Sequence, residues 1–321
     1  MFTTFFDAWS SMNRLWAGAP APPGAGSRFT YGFHQEEERA LHYRLFIPGG
    51  ERSPMPLIVM LHGCGQDAAD FAAGTGMNTL ADEHGCLVLY PEQSCSAHWN
   101  RCWNWHDRTN QRRGEGEPAL IAGLTRRIMA EHAVDARRVA VAGLSAGGAM
   151  AVILGRTYPD LFSAVGCHSG LAHGSAGSDA GALLAMRTGA VPSTLPPPSL
   201  HAVVPVIVFH GDADLTVHRR DSSDVVRQPL DSHARHGQAG DGGVGMVAQT
   251  GRTGGREFTR AVHRESTGGV LAEQWTVHGA GHAWSGGNPR GSCTDACGPN
   301  ASKEMLRFFI GDTAVRSGQA G

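Results

Sequence analysis

VAVAGLSAGGAMAV, Val139–Val152, runs a β-branched stretch into a serine held between glycines and then into small helix-forming residues. No other stretch constrains the fold as tightly. A strand must end and a helix must begin within Gly143-Leu144-Ser145-Ala146-Gly147, a match to G-x-S-x-G with the strand and helix that this motif requires. A serine at so sharp a turn occupies strained backbone space, so its neighbours two positions away must be nearly bare of side chain. Its hydroxyl then projects above the C-terminal edge of a sheet, near the positive end of the following helix. A dinucleotide-binding fingerprint is a poorer fit, because the glycines do not fall as G-x-G-x-x-G.

The rest of the chain repeats this alternation. Apolar runs at Leu41–Pro48, Pro56–Gly63, Cys86–Pro91, Phe162–Ser169 and Pro205–Gly211 read as strands, with a late pair at Glu257–Glu265 and Leu271–Gly279. Helices are predicted over Asp67–His84, Glu117–His132, Ala146–Tyr158, Ser222–His236 and Ala301–Ile310. Strands alternating with helices predict an α/β fold, a mainly parallel sheet flanked by helices. Two Gly-, Ser- and Pro-rich stretches, Ala172–Ser199 and Gly237–Arg256, read as mobile excursions from the rim of the sheet. One catalytic domain over residues 27–312 is expected, after an N-terminal lead and linker over residues 1–26 and before a short tail over residues 313–321.

The 321 residues carry a formal net charge of -2, and Lys and Arg are dispersed. Without a basic stripe to neutralise phosphates, a nucleic-acid partner is not expected. No apolar run is long enough to cross a bilayer. The lead MFTTFFDAWSSMNRLW lacks a basic n-region and its apolar core is interrupted, so a cytoplasmic location is expected, with export as the alternative. Seven cysteines leave at least one unpaired in a monomer. Cys293 and Cys297 have the spacing to close a small loop, Cys102 has Cys64 or Cys95 as partners, and reduced thiols throughout are the other reading. None of these spacings is that of a zinc site. The sequence does not indicate an oligomeric state.

A serine hydroxyl is a weak nucleophile until a base takes its proton, and that base needs an orienting acid. VIVFHGDADLTVH is a strand followed by Asp212 and Asp214, and WTVHGAGHAWSGG is a strand that turns through glycines to His282. The chain order serine, acid, histidine therefore arises as Ser145, Asp214, His282, with Asp212 and His278 as rivals. A tetrahedral intermediate also needs donors for its oxyanion. The backbone N–H of Ala146 is one, and the His62-Gly63-Cys64-Gly65-Gln66 turn after an early strand offers the Cys64 N–H as the second. Trp103 and Trp105, with Trp284 after the candidate base and Gln66 in the early turn, are the expected substrate-binding residues. Clustered tryptophans suit an apolar wall for an acyl or alcohol group. No metal or organic cofactor is expected for this chemistry.

The segments LHGCGQDAADF, YPEQS, CWNWHD, VAGLSAGGAMA, FHGDADLTVH and HGAGHAWSGG followed by TDACGPNAS closely resemble the esterase, poly(3-hydroxybutyrate) depolymerase family of α/β-hydrolases. The likeness runs from about residue 40 to about residue 310. It implies an α/β-hydrolase fold and a serine esterase acting on hydroxyalkanoate polyesters, their oligomers or short-chain esters. It also implies Ser145 as nucleophile, Asp214 as acid, His282 as base, and Cys64 and Ala146 as the oxyanion hole. The chain departs from the family pattern at Cys293 and Cys297. After Phe309 it offers only GDTAVRSGQAG beyond Ile310, where depolymerases of solid polymer carry a substrate-binding module, so soluble oligomers or small esters are the expected substrates. A feruloyl or acetyl carbohydrate esterase, or an acyltransferase, would use the same triad. A binding protein that has lost the chemistry is the reading from a different class.

Overall fold

The computed structural model describes residues 26–36, 38–50, 53–190, 203–236 and 243–311. The expected tail lies outside them, as does the expected lead apart from Gly26. Along the chain, β1 (Arg28–Glu36), β2 (Arg39–Ile47) and β3 (Met55–Leu61) are followed by α1 (Ala68–Thr75), α2 (Met77–His84), β4 (Leu87–Glu92) and α3 (Gly116–Glu131). Next come β5 (Val134–Leu144), α4 (Ala146–Thr157), β6 (Ala164–His168), α5 (Asp179–Thr188), β7 (Val206–Gly211) and α6 (Arg220–His236). The hairpin of β8 (Gly245–Thr253) and β9 (Arg256–Arg264), then β10 (Val270–Val277), two short bridging strands and α7 (Ala301–Ile310) complete the described chain.

Ten strands form one sheet in the order β1-β2-β4-β3-β5-β6-β7-β10-β9-β8. From β4 across to β10 the neighbours are parallel, and the flanking strands at both ends are antiparallel. Helices cover both faces, which is why the central strands are apolar throughout rather than alternating. Within β5, Val139 and Val141 enter one core while Ala140, Ala142 and Leu144 enter the other. The first core is closed by Ile121 and Leu124 of α3, Met150 and Ile153 of α4, and Val225 and Val226 of α6. The second is closed by Phe71 of α1, Met77 of α2, and Met305 and Phe309 of α7. Burying each such side chain stabilises the fold by ~1.5–3 kcal/mol.

Three expectations need correction. The helix expected over Asp67–His84 is two helices, because Gly76 at φ 63° caps α1 through its N–H to the Ala72 carbonyl and redirects the chain into α2. The stretch Ala172–Ser199 contains α5, whose Ser178 side chain caps the Gly181 N–H. The stretch Gly237–Arg256 contains β8, which returns to β9 through Gly254 and Gly255, both at positive φ. No helix among the described residues is long and apolar enough to cross a membrane.

Candidate active site

Leu144 ends β5 and Ala146 opens α4, so Ser145 alone makes the turn. Its φ of 56° and ψ of -118° place a residue with a side chain where such residues rarely sit, a strain of ~1–3 kcal/mol held by the surroundings. Its N–H donates to the His168 carbonyl at 2.8 Å and its carbonyl accepts from the Ala149 N–H at 2.9 Å. The glycines around it are a steric requirement. A Cβ on Gly147 would lie 2.1 Å from the Leu61 carbonyl oxygen, and one on Gly143 would lie 2.4 Å from the backbone of Gly147.

Ser145 and His282 line the same cleft of about 710 Å³. His282 Nδ1 meets Asp214 Oδ2 at 2.7 Å, with the Asp214 side chain wholly buried and that of His282 nearly so. A carboxylate can only accept, so Nδ1 carries the proton and Nε2 keeps its lone pair. Asp214 Oδ1 accepts the N–H groups of Thr216 and Val217 at 2.8 and 2.9 Å, an Asx-type turn written into Asp214-Leu215-Thr216-Val217. Burial raises the Asp214 carboxyl, but the His282 hydrogen bond and charge, the Val217 N–H and the charge of His210 outweigh it and hold the group at about 2. His168, beneath the serine, is pushed down to about 3 by burial and by the charges of His210 and His282. It remains a neutral imidazole. No hydrogen bond joins the Ser145 hydroxyl to His282 among the described residues; what unites them is the cleft they both line.

The rivals pair with each other. Asp212 accepts from His278 Nδ1 at 2.8 Å and from the Gly279 N–H at 2.7 Å, and His278 Nε2 meets the Thr259 hydroxyl at 2.9 Å. They lie outside the cleft lining.

Cys64 and Ala146 both line the cleft, and neither backbone N–H is donated to a partner among the described residues. Helix α4 points its positive end at the same place. Trp103 and Trp105 border the cleft from the core, 0% and 5% exposed, with Trp103 donating its Nε1–H to the His62 carbonyl at 3.1 Å, while Trp99 is the exposed tryptophan of the lining. Trp284 does not reach the cleft. It is buried beneath it, stacked on His168 at 5.1 Å and edge-on to Phe71 at 5.4 Å, because its ring completes the second core. Gln66 is also buried away from the cleft. Its Oε1 accepts the Gly63 N–H at 3.0 Å and its Nε2 donates to Asp70 and Ser292, so it shapes the early turn instead of meeting substrate. The lining also includes Leu171, Met186 and Thr216, which the sequence reading missed. Met186 belongs to α5, which the glycines and serines of Ala172–Ser199 hide in the sequence.

Cys64 and Cys102 form a disulfide, while Cys293 and Cys297, expected as one alternative to close a small loop, are free thiols. A disulfide belongs in an oxidising compartment, so the expected cytoplasmic location is not supported.

Residues 41–238 match the esterase PHB depolymerase family. Poly(3-hydroxyalkanoate) depolymerase C of Paucimonas lemoignei is 30% identical over 251 residues, covering 74% of this chain and 56% of that protein. Feruloyl esterase B of Neurospora crassa is 33% identical over 129 residues, covering 40% of this chain and 43% of that protein. The chain thus spans about half the length of the curated relatives it matches. Among solved structures, an acetyl xylan esterase from Aspergillus awamori superposes with a TM-score of 0.62 at 18% identity, covering 88% of this chain and 99% of that one, which speaks for a shared α/β-hydrolase fold. Matched over more than half its length and aligned with such a depolymerase at 30% identity over 74% of it, this chain belongs to the esterase PHB depolymerase family.

Proposed function

We propose that the chain is a carboxylic ester hydrolase that works through an acyl-enzyme, with residues 27–312 as its catalytic unit. The observation that carries this reading is one cleft holding a strained serine, an imidazole oriented by a buried carboxylate, and two undonated backbone N–H groups. His282 Nε2 takes the Ser145 proton as Oγ attacks the ester carbonyl. The N–H groups of Cys64 and Ala146 receive the oxyanion, and losing one such donor costs ~3–4 kcal/mol in the barrier. Collapse expels the alcohol, which takes its proton from His282. Water then repeats the sequence on the acyl-enzyme, and Asp214 stays ionised throughout.

The substrates proposed are hydroxyalkanoate oligomers or short-chain esters, whose apolar acyl groups suit a cleft lining that exposes Trp99 and Leu183 and is backed by Trp103 and Trp105. Feruloyl or acetyl carbohydrate esters are the second reading, favoured by the likeness to a feruloyl esterase and by indole faces that also suit sugar rings. The disulfide supports work in an oxidising compartment, and hence export.

Turnover of p-nitrophenyl butyrate by wild type and Ser145→Ala tests the chemistry. The variant is expected to lose at least about 10⁴-fold in kcat, as triad serines do elsewhere, and equal rates would overturn the reading. A panel of 3-hydroxybutyrate oligomers, feruloyl esters and acetylated xylan, with competing alcohols present, separates the substrate classes and shows any acyl transfer.

A further inference from the structure

Two histidines stand beside Asp214, and the reaction uses one of them. His210, in β7, is the other. Its Nε2 lies 3.6 Å from Asp214 Oδ2 and donates to the Val217 carbonyl at 2.9 Å. With the proton on Nε2, Nδ1 is left as an acceptor. It has no partner among the described residues, although His210 is only 2% exposed. A buried acceptor without a donor costs about 1–3 kcal/mol. His210 also lines a second pocket, of about 470 Å³, between the start of α6 and the strands β7 and β10. Its lining shares no residue with that of the catalytic cleft. Thr276 pairs in register with His210 and puts a hydroxyl in the same lining. Arg219 and Arg220, both exposed, stand in it too, and neither forms a salt bridge among the described residues. Asp212, the carboxylate of the lining, is engaged by His278 Nδ1 and the Gly279 N–H at 2.8 and 2.7 Å. Two guanidinium groups at the rim are thus left to meet an anion.

We propose that this pocket is a second binding site, for a small hydroxycarboxylate whose hydroxyl donates to His210 Nδ1 and whose carboxylate meets Arg219 and Arg220. The two ends of the pocket ask for different chemistry. A neutral imidazole nitrogen in the floor needs a donor, which a simple carboxylate lacks. Guanidinium groups at the rim need an anion, which an alcohol lacks. A molecule carrying both groups a few bonds apart satisfies both ends. Hydrolysis of a hydroxyalkanoate ester releases an acid of this kind, so the site holds the enzyme's own product. That last link rests on the esterase reading above, whereas the pocket and its chemistry do not. Because His210 faces Asp214 through Nε2 and the pocket through its other nitrogen, the bound acid sits one imidazole away from the triad.

Titration calorimetry with 3-hydroxybutyrate tests this, on the wild type before and after reaction with diethyl p-nitrophenyl phosphate. In that reaction Ser145 Oγ displaces p-nitrophenolate from phosphorus, the serine proton passes to His282, and a diethyl phosphate ester then blocks the catalytic cleft. Binding with a Kd of roughly 1 mM is expected in both forms. Butyrate, without the hydroxyl, and 1,3-butanediol, without the carboxylate, should each bind at least about fivefold more weakly. The double variant Arg219→Ala and Arg220→Ala should lose 3-hydroxybutyrate by a similar factor or more. With 15N-labelled histidine, the acid should shift the Nδ1 resonance of His210, and butyrate should not. Equal affinity for butyrate and 3-hydroxybutyrate would overturn the proposal, as would an unmoved His210 resonance. So would binding that vanishes on phosphorylation, since the acid would then occupy the catalytic cleft. If the double variant does not fold, the comparison of ligands on the wild type carries the test. A serine that fails to react with the phosphate ester counts against the esterase reading, whereas a phosphorylated protein that ignores the acid sinks only this inference.

Discussion

Asp214 has to be ionised in a place that opposes ionisation. Its side chain is wholly buried, and only the hydrogen bonds and positive charge around it bring the carboxyl down to about 2 from an ordinary 3.8. A carboxyl lower in the folded than in the unfolded state contributes stability that is complete above its ordinary value and is lost as pH falls through the folded one. The contribution is about 2 kcal/mol. Asp214→Asn keeps an oxygen for the Thr216 and Val217 N–H groups but removes the charge and offers Nδ1 of His282 a donor instead of an acceptor. A loss in kcat of about 10⁴ is expected with little change in fold, as for the equivalent change in a serine protease. A steady-state assay with a dichroism control checks this, and a loss below tenfold would argue that another group orients His282. The sequence keeps Asp212 and His278 as rivals, and it favours Asp214 through the family resemblance and His282 through its glycine-flanked loop. What separates them is which pair faces the cleft, and that depends on how two loops curl above the sheet. Trp284 and Gln66 misled for a related reason: adjacency to a catalytic segment says nothing of which way a ring or amide points.

The tryptophan wall depends on α3 as well as on its own loop. Glu117, in the first turn of α3, accepts the Asn104 N–H at 2.8 Å, and its other oxygen accepts the amides of Asn104 and Gln93, both at 2.6 Å. Burial raises this carboxyl, opposed by the donors of Asn104 and Gln93. Asn104 lies between Trp103 and Trp105, so one carboxylate clamps the loop that forms the cleft wall. Glu117→Ala leaves those donors unmatched and should raise KM for aryl and acyl esters about three- to tenfold, more than it lowers kcat. An unchanged KM would detach the helix from the wall. At this scale the elements the sequence made legible are those that packing overdetermines. The parallel strands are buried on both faces and so read as unbroken apolar runs. Strands β1 and β8 sit at the two edges of the sheet and are mostly exposed, which leaves no apolar period to read. Helix α5 buries Ala182 and Ala185 in the core and packs Met186 partly against it, too little apolar area to stand out among glycines and serines.

For the whole molecule, buried ionisable groups set the pH at which the fold is most stable. His62, His168, His173 and His210 are all lowered, chiefly by burial, and His168 falls to about 3. The unfolded chain takes protons at these positions near 6.5, while the folded chain resists, so stability drains as pH falls below 6.5 at up to ~1.4 kcal/mol per unit per group. Asp221 pulls the other way. It is buried in α6, its Oδ1 accepts the Ala190 N–H at 2.9 Å, and its Oδ2 has no partner among the described residues. Burial, with the charge of Asp224, outweighs that hydrogen bond and raises the carboxyl to about 7. A carboxyl raised in the folded state costs stability as pH climbs from its unfolded 3.8 to its folded value, because only the unfolded chain gives up the proton easily; above about 7 the cost is constant. Between pH 4 and 6.5 these histidines and Asp221 therefore oppose each other, and Glu117 and Asp224, also raised by burial, act on the side of Asp221. Asp221→Asn abolishes the acid's contribution while retaining an oxygen for Ala190, so its unfolding temperature should exceed that of wild type by several degrees at pH 8 and match it at pH 4. Thermal unfolding across that range decides the matter. A variant no more stable than wild type at pH 8 would mean that the buried carboxylate has found a partner, and that the alkaline side of the profile has another origin.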